Sequence, residues 1–184
     1  MRVNPIWSIE NQSTSEKLLN QALEDMGFDY MYQRPLQCRV WNDKEDTYVD
    51  KIFYIDFSVD IKGSNNSIRR VWFEIDGSQH FIYVRKFKRP LRINVMLDNI
   101  KNTKVLKLGD ILIRIPGLDS LQVLGEIEDA YTQQDAYTLY LKEILDEVFN
   151  MNKVPQHLIQ IYEKYSRTNY AKIARQMNEG GRYG

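Results

Sequence analysis

The chain has 184 residues, 25 basic against 25 acidic, and a single cysteine, Cys38. Its length suits one domain, or one domain with a small appendage, and 43% apolar with 27% charged residues is the composition of a globular chain rather than a disordered one. One cysteine excludes a disulfide framework and a cysteine zinc cluster within the chain, zero net charge argues against a general polyanion-coating protein while leaving local patches open, and with no bilayer-length apolar run or signal peptide the expectation is a cytoplasmic protein with no membrane partner.

Residues 1–12 read as an irregular arm. Ser13-Thr14-Ser15-Glu16 matches a capping box, and Leu18, Leu19, Ala22, Leu23 and Met26 follow at helical spacing up to Gly27, which predicts an amphipathic helix over 14–26. Tyr30 to Trp41 is β-rich but interrupted by Pro35. After a turn at 42–46, Thr47 to Ile61 is β-rich again, and Ile68 to Asp76 follows the turn at 63–67. Spacing this short predicts an antiparallel meander. Alternation along the middle strand puts Phe53, Ile55, Phe57, Val59 and Ile61 on one face and Tyr54, Asp56, Ser58 and Asp60 on the other.

Leu91 to Leu108 has helical spacing ended by Gly109, and Asp110 to Pro116 reads as a short buried strand. A strand, helix and strand after a meander predict an α+β sheet with a parallel return. Leu118 to Asn150 reads as one or two helices, Gln156 to Tyr165 as another, and Tyr170 to Met177 as a last one. The final pair, joined by Arg167-Thr168-Asn169, has the look of the first two helices of a helix-turn-helix without its recognition helix. A plain helical hairpin is the alternative.

The stretch with most chemistry is Phe73-Glu74-Ile75-Asp76-Gly77-Ser78-Gln79-His80. Glu74 and Asp76 share a strand face, and like charges about 4 Å apart repel by roughly 4 kcal/mol at an effective dielectric of about 20. A basic side chain, a shared proton or a divalent ion should compensate. With His80 just past the turn, the arrangement suits a metal hydrolase. Next come Arg85, Lys86, Lys88, Arg89 and Arg92, interleaved with Tyr83 and Phe87. Cations neutralise phosphates and aromatics stack on bases, so this segment is a candidate DNA contact at the mouth of the site. The alternative is a solvated loop that balances the acids.

Taken together, Ser15-Glu16, then Leu23, Gly27, Phe28 and Gln33, then Ile55-Asp56-Phe57, Glu74-x-Asp76-Gly77-x-x-His80, Asp98-x-x-Lys101, Leu106, Gly109 and Ile113-Arg114-Ile115 resemble the very-short-patch-repair-like branch of the PD-(D/E)XK nuclease superfamily, which includes phage homing endonucleases. The resemblance covers about residues 13–117. It implies an α+β restriction-endonuclease-like core, a mixed central sheet flanked by helices, over 1–117, with residues 118–184 as a C-terminal helical extension. It further implies metal-dependent hydrolysis of double-stranded DNA.

Carried over, Asp56 becomes the central metal ligand and Glu74 the second metal or water-orienting position, for magnesium or manganese. His80 becomes the base, Glu16 and Asp98 supporting acids, and Lys101 a further DNA contact. Asp76 stands where the wider superfamily has its lysine, and Ile55 where it has its proline. Each residue also has an ordinary reading. Asp56 would pair with Arg69, Arg70 or Lys86, Glu16 would complete its capping box, Asp98 would pair with Lys101 along its helix, and Asp76 would fix the turn at Gly77. Two functional alternatives follow: a nucleic-acid-binding protein that keeps the nuclease fold without catalysis, and a structure-specific or transposition-type nuclease acting with a partner subunit. Homodimerisation is left open.

Overall fold

The computed structural model describes residues 2–3, 9–62, 68–82, 91–127, 133–151 and 153–165. Its sheet runs in chain order: β1 (Arg2–Val3), β2 (Tyr30–Asn42), β3 (Thr47–Lys62), β4 (Ile68–Asp76) and β5 (Ile111–Pro116). β1 is a two-residue parallel addition at one edge, so four strands carry the sheet. β2, β3 and β4 pair antiparallel, and β5 returns parallel to β4 after α2 (Leu91–Lys107). The architecture is therefore α+β, a mixed sheet flanked by helices, with the meander and the parallel return that the spacing predicts.

α1 (Thr14–Asp25) begins at the expected capping box: Glu16 N donates to Ser13 Oγ at 3.2 Å and Ser13 N donates to Glu16 Oε2 at 2.7 Å. It stops before Gly27, whose φ of +76° suits a residue without a Cβ. Leu118 to Asn150 resolves into two helices, α3 (Leu118–Leu124) and α4 (Gln133–Met151), the first ended at Gly125. α5 (Gln156–Tyr165) follows Pro155. The expected helix at 170–177, and with it the helix-turn-helix reading, lies outside the described residues.

Two cores sandwich the sheet. On one face Leu19, Ala22 and Leu23 of α1, Tyr137, Leu141 and Ile144 of α4, and Leu158 and Ile159 of α5 pack on Val71, Phe73, Ile113 and Ile115. On the other, Val105 of α2 packs with Trp72 and Leu112. The odd and even positions of β4 and β5 thus face opposite cores, as strand alternation requires. β5 is covered by helices on both sides and buried along its length. The C-terminal helices α4 and α5 share one core with α1 and the sheet.

Two expectations about β2 and β3 need correction. β2 runs straight through Pro35, which sits opposite Tyr54 in the ladder. Among the described residues β2 has no outer neighbour past Tyr32, so the missing N–H falls at an open edge. The faces of β3 are also not uniform. Phe57 and Val59 join the first core with Tyr30 and Tyr32, whereas Phe53 and Ile55 join the second with Leu36, Cys38 and Val40. The hairpin turns over between Tyr32↔Phe57 and Arg34↔Ile55 without a change of register. The pivot is Gln33, at φ +52°, opposite Asp56. A strict period of two cannot anticipate a reversal made by one backbone torsion.

Candidate functional site

Asp56 lies where β3 and β4 part. Their ladder runs from Lys62↔Ile68 to Phe57↔Phe73 and ends there. One residue on, Asp56 Oδ2 accepts the Ile75 N–H at 2.8 Å, and its Oδ1 accepts from Gln33 Nε2 at 3.1 Å. The carboxylate thus takes over a donor that the ladder leaves open. Glu74, buried on β4, has Oε1 2.5 Å from Lys101 Nζ of α2. Glu16 reaches the same neighbourhood from α1, accepting a 3.3 Å hydrogen bond from the Tyr32 hydroxyl. Burial, then the charges of Glu74 and Glu16, push the Asp56 carboxyl well above its ordinary value, while Lys101 and the Ile75 N–H pull it back only in part. For Lys101, burial pulls the ammonium down, but the charges of Glu74 and Asp56 outweigh both that and the repulsion of Arg114.

A second group sits two residues further along β4. Asp76, fully buried, is gripped by both arms of Arg114 from β5, with Arg114 Nε 2.7 Å from Oδ2. Its Oδ2 also accepts from the Tyr162 hydroxyl of α5 at 2.6 Å. Arg114 extends a third contact to Asp98 Oδ1 at 2.9 Å and a fourth to Asn102 Oδ1 at 3.2 Å, both on α2. Asp98 Oδ2 lies 2.6 Å from His80 Nδ1, and Asp76 Oδ1 lies 3.6 Å from the same nitrogen. A carboxylate there requires a proton on Nδ1, which leaves Nε2 as the basic atom of the neutral ring. Burial lowers the basicity of His80, yet the charge of Asp76 and the hydrogen bond and charge of Asp98 prevail, holding its pKa above the ordinary value against Arg114. The Asp76 carbonyl is fixed as well, accepting from Gly117 N at 2.8 Å and Ser120 Oγ at 2.6 Å.

The six residues singled out by sequence therefore fall into two groups: Asp56, Glu74 and Glu16 with Lys101, and Asp76, His80 and Asp98 with Arg114. His80 is placed beside Asp76 and Asp98, not beside Asp56 and Glu74. Lys101, expected on DNA, instead holds Glu74. Of the ordinary partners considered for Asp56, Arg70 is engaged elsewhere, binding Asp60 together with Arg34, and Lys86 lies outside the described residues. The Arg34 hydrogen bond, opposed by burial and reinforced by Arg70, takes that carboxyl down to about 2. Glu16 serves its capping box and the site at once. Of the basic segment, residues 85–89 lie outside the described residues, as does the side chain of Arg92.

Ligand atoms of Asp76, His80 and Asp98 lie within 4.8 Å of one another, a spacing a metal ion accepts. Charge argues against an ion there, because the guanidinium of Arg114 already occupies both carboxylates. The first group has the opposite character. Among the described residues Glu74 and Glu16 both repel Asp56, and Lys101, paired with Glu74, is the cation that offsets them. Asp56 and Glu74 offer oxygen donors of the kind magnesium and manganese favour, whereas the three ligands that converge within 4.8 Å among the described residues are Asp76, His80 and Asp98. Lys101 of the first group and His80 and Asp98 of the second line one cleft of about 400 Å³ together with Phe53 and Asn94, and Glu74 and Asp56 lie behind Lys101 rather than in the lining.

Arg114, Tyr162 and Gln33 carry much of this geometry without having been singled out as site residues. Arg114 left a trace in the sequence, as the one charge in the apolar run Ile111–Pro116, where an arginine needs a buried acid. Tyr162 left none.

No family model and no curated protein matches the chain. Among solved structures, the crystal structure of a protein of unknown function, AF1548, aligns over 93% of this chain and 98% of that chain, at 14% identity and a TM-score of 0.33, a likeness that carries no argument.

Proposed function

We propose that the protein is a metal-dependent endonuclease with a PD-(D/E)XK-type core, hydrolysing phosphodiester bonds of double-stranded DNA in the manner of a homing or mobile-element nuclease. The observation that supports this reading is the excess of acid among the described residues where β3 and β4 part: Asp56 beside Glu74 and Glu16, with Lys101 as the ammonium that pairs with Glu74. Asp56 and Glu74 would hold a magnesium or manganese ion, which when bound supplies a Lewis acid for the phosphoryl oxygen and lowers the pKa of a bound water.

The chain's own residues do the rest. Lys101 lines the cleft with its charge fixed by Glu74 and counters the negative charge of a phosphate entering there. His80 lines the same cleft. Asp98 holds its ring through Nδ1, so Nε2 takes a proton from the attacking water, and Asp76 and Asp98 stabilise the imidazolium that results. Arg114 keeps those two carboxylates fixed while this happens.

The test is nicking of supercoiled plasmid in magnesium, manganese or EDTA. Wild-type protein should nick with either metal and not in EDTA. Asp56→Asn, which keeps the shape and removes the charge, should lose activity by about a hundredfold or more, and His80→Ala by a similar factor. Cleavage that survives EDTA, or persists in Asp56→Asn, overturns the reading. Salt-sensitive DNA binding without cleavage in any metal would instead favour a binding protein on a nuclease scaffold. Cleavage confined to branched DNA would favour the structure-specific alternative.

A further inference from the structure

α2 has a second working face. Beside the cleft, between α2 and the β2 arm, runs a groove of about 590 Å³. Arg39 of β2 and Lys104 and Lys107 of α2 line it, and among the described residues no acidic one does. In a chain of zero net charge, a concave surface with three cations and no acid is a local excess that points to an anion. Resting on the nuclease reading, we propose that this groove seats backbone phosphates of the DNA strand that enters the cleft.

Two further observations carry the assignment. The first is continuity. Cys38, at the groove, has its thiol pushed up by burial and drawn back by the charges of Lys104 and Lys101. Lys104 of the groove and Lys101 of the cleft lie one helical turn apart on α2. Lys101, Lys104 and Lys107 recur every three residues along α2. At about 1.5 Å per residue they span about 9 Å, matching two or three phosphates of one strand at roughly 3.4 Å each along the duplex axis.

The second is Asn99, which lines the groove with its buried Oδ1 lacking a hydrogen-bond partner among the described residues. Oxygen and nitrogen of an amide are interchangeable assignments, so this group can turn its two N–H donors to a phosphate oxygen, with the Thr103 hydroxyl beside it.

Binding of a fluorescent duplex by the full chain in EDTA, titrated over a range of potassium chloride, tests this without cleavage. Arg39→Ala/Lys104→Ala/Lys107→Ala should weaken binding about tenfold or more at physiological salt. It should also reduce the slope of log affinity against log salt by about 2–3, near 0.9 for each phosphate that is no longer neutralised. Lys17→Ala/Lys142→Ala/Lys153→Ala, with the same charge change on the helical layer across the sheet, should do neither. If the triple variant melts early, the surface pair Arg39→Ala/Lys107→Ala should still lower the slope by about 1–2. An unchanged slope and affinity in the groove variants, equal losses in the control, or no DNA binding by wild type overturns the assignment. Plasmid nicking separates the two readings. A wild type that binds through the groove but never nicks keeps the groove and removes the nuclease, whereas nicking with an indifferent groove variant removes the groove alone.

Discussion

Glu74 and Asp76 leave the same face of β4, two residues apart, and both are buried, but they keep different company. Asp76 has a two-armed arginine, a tyrosine hydroxyl and a nearby histidine. Glu74 has one lysine, which it shares electrostatically with Asp56. The Asp76 network is closed: Arg114 bridges Asp76 and Asp98, and each of their carboxylate oxygens has a donor. Among the described residues the Glu74 group is open, with more acid than cation. A closed polar network fixes geometry, and an open one leaves a place for a ligand. Burial alone does not separate the two, nor does residue type. The count of compensating charges does.

The largest effect should come from opening the closed side. Arg114→Met leaves Asp76 and Asp98 buried without their cation, and should cost about 3–5 kcal/mol in urea unfolding. A loss under 1 kcal/mol would mean that the network does not support the fold. Next, Tyr162→Phe removes one hydrogen bond to a buried carboxylate and should cost about 1.5–3 kcal/mol by the same measurement.

The open side should respond with the opposite sign. Because burial and two neighbouring acids raise the Asp56 pKa in the folded state, the stability tied to its protonated form is present at low pH. It is lost as pH rises through that raised value. At neutral pH in EDTA, Asp56→Asn should therefore melt higher than wild type, by roughly 2–4 °C for each kcal/mol recovered. Magnesium should then raise the melting temperature of wild type and leave the variant where it is. A lower melting temperature for Asp56→Asn in EDTA would erase the contrast between the two groups.

The smallest effect is a single titration. His80 is held above its ordinary pKa, so its contribution to stability is complete below about 6.5, the unfolded value, and disappears as pH rises through the folded one. In unfolding measured from pH 6 upward, wild type should lose stability relative to His80→Gln, with a slope no steeper than about 1.4 kcal/mol per pH unit for one proton. Parallel curves would show that Asp76 and Asp98 do not hold the imidazolium.

Much of this architecture was legible in the sequence because the signals were local. The capping box at Ser13, the stop at Gly27, and the meander with its parallel return are set by neighbours within a few residues. The acids were legible too, since Glu74 and Asp76 announce an unresolved repulsion on one strand. Which partner resolves it was not. Lys101 is 27 residues from Glu74 and Arg114 is 38 from Asp76, so their pairing is a product of sheet order and helix placement rather than spacing. The reversal at Gln33 was hidden for a different reason: it is a backbone torsion in a residue type that seldom adopts it.

The hydroxyl of Tyr162 reaches Asp76 across 86 residues of chain. On a ribosome adding about 5–20 residues per second, that distance is roughly 4–17 s of synthesis. β4, α2 and β5 are all made before the helix that completes the polar cluster beneath His80. Glu74 and Asp56 are in place early and the last hydrogen bond to Asp76 comes late, so the polar cluster beside His80 is complete only once α5 has been made.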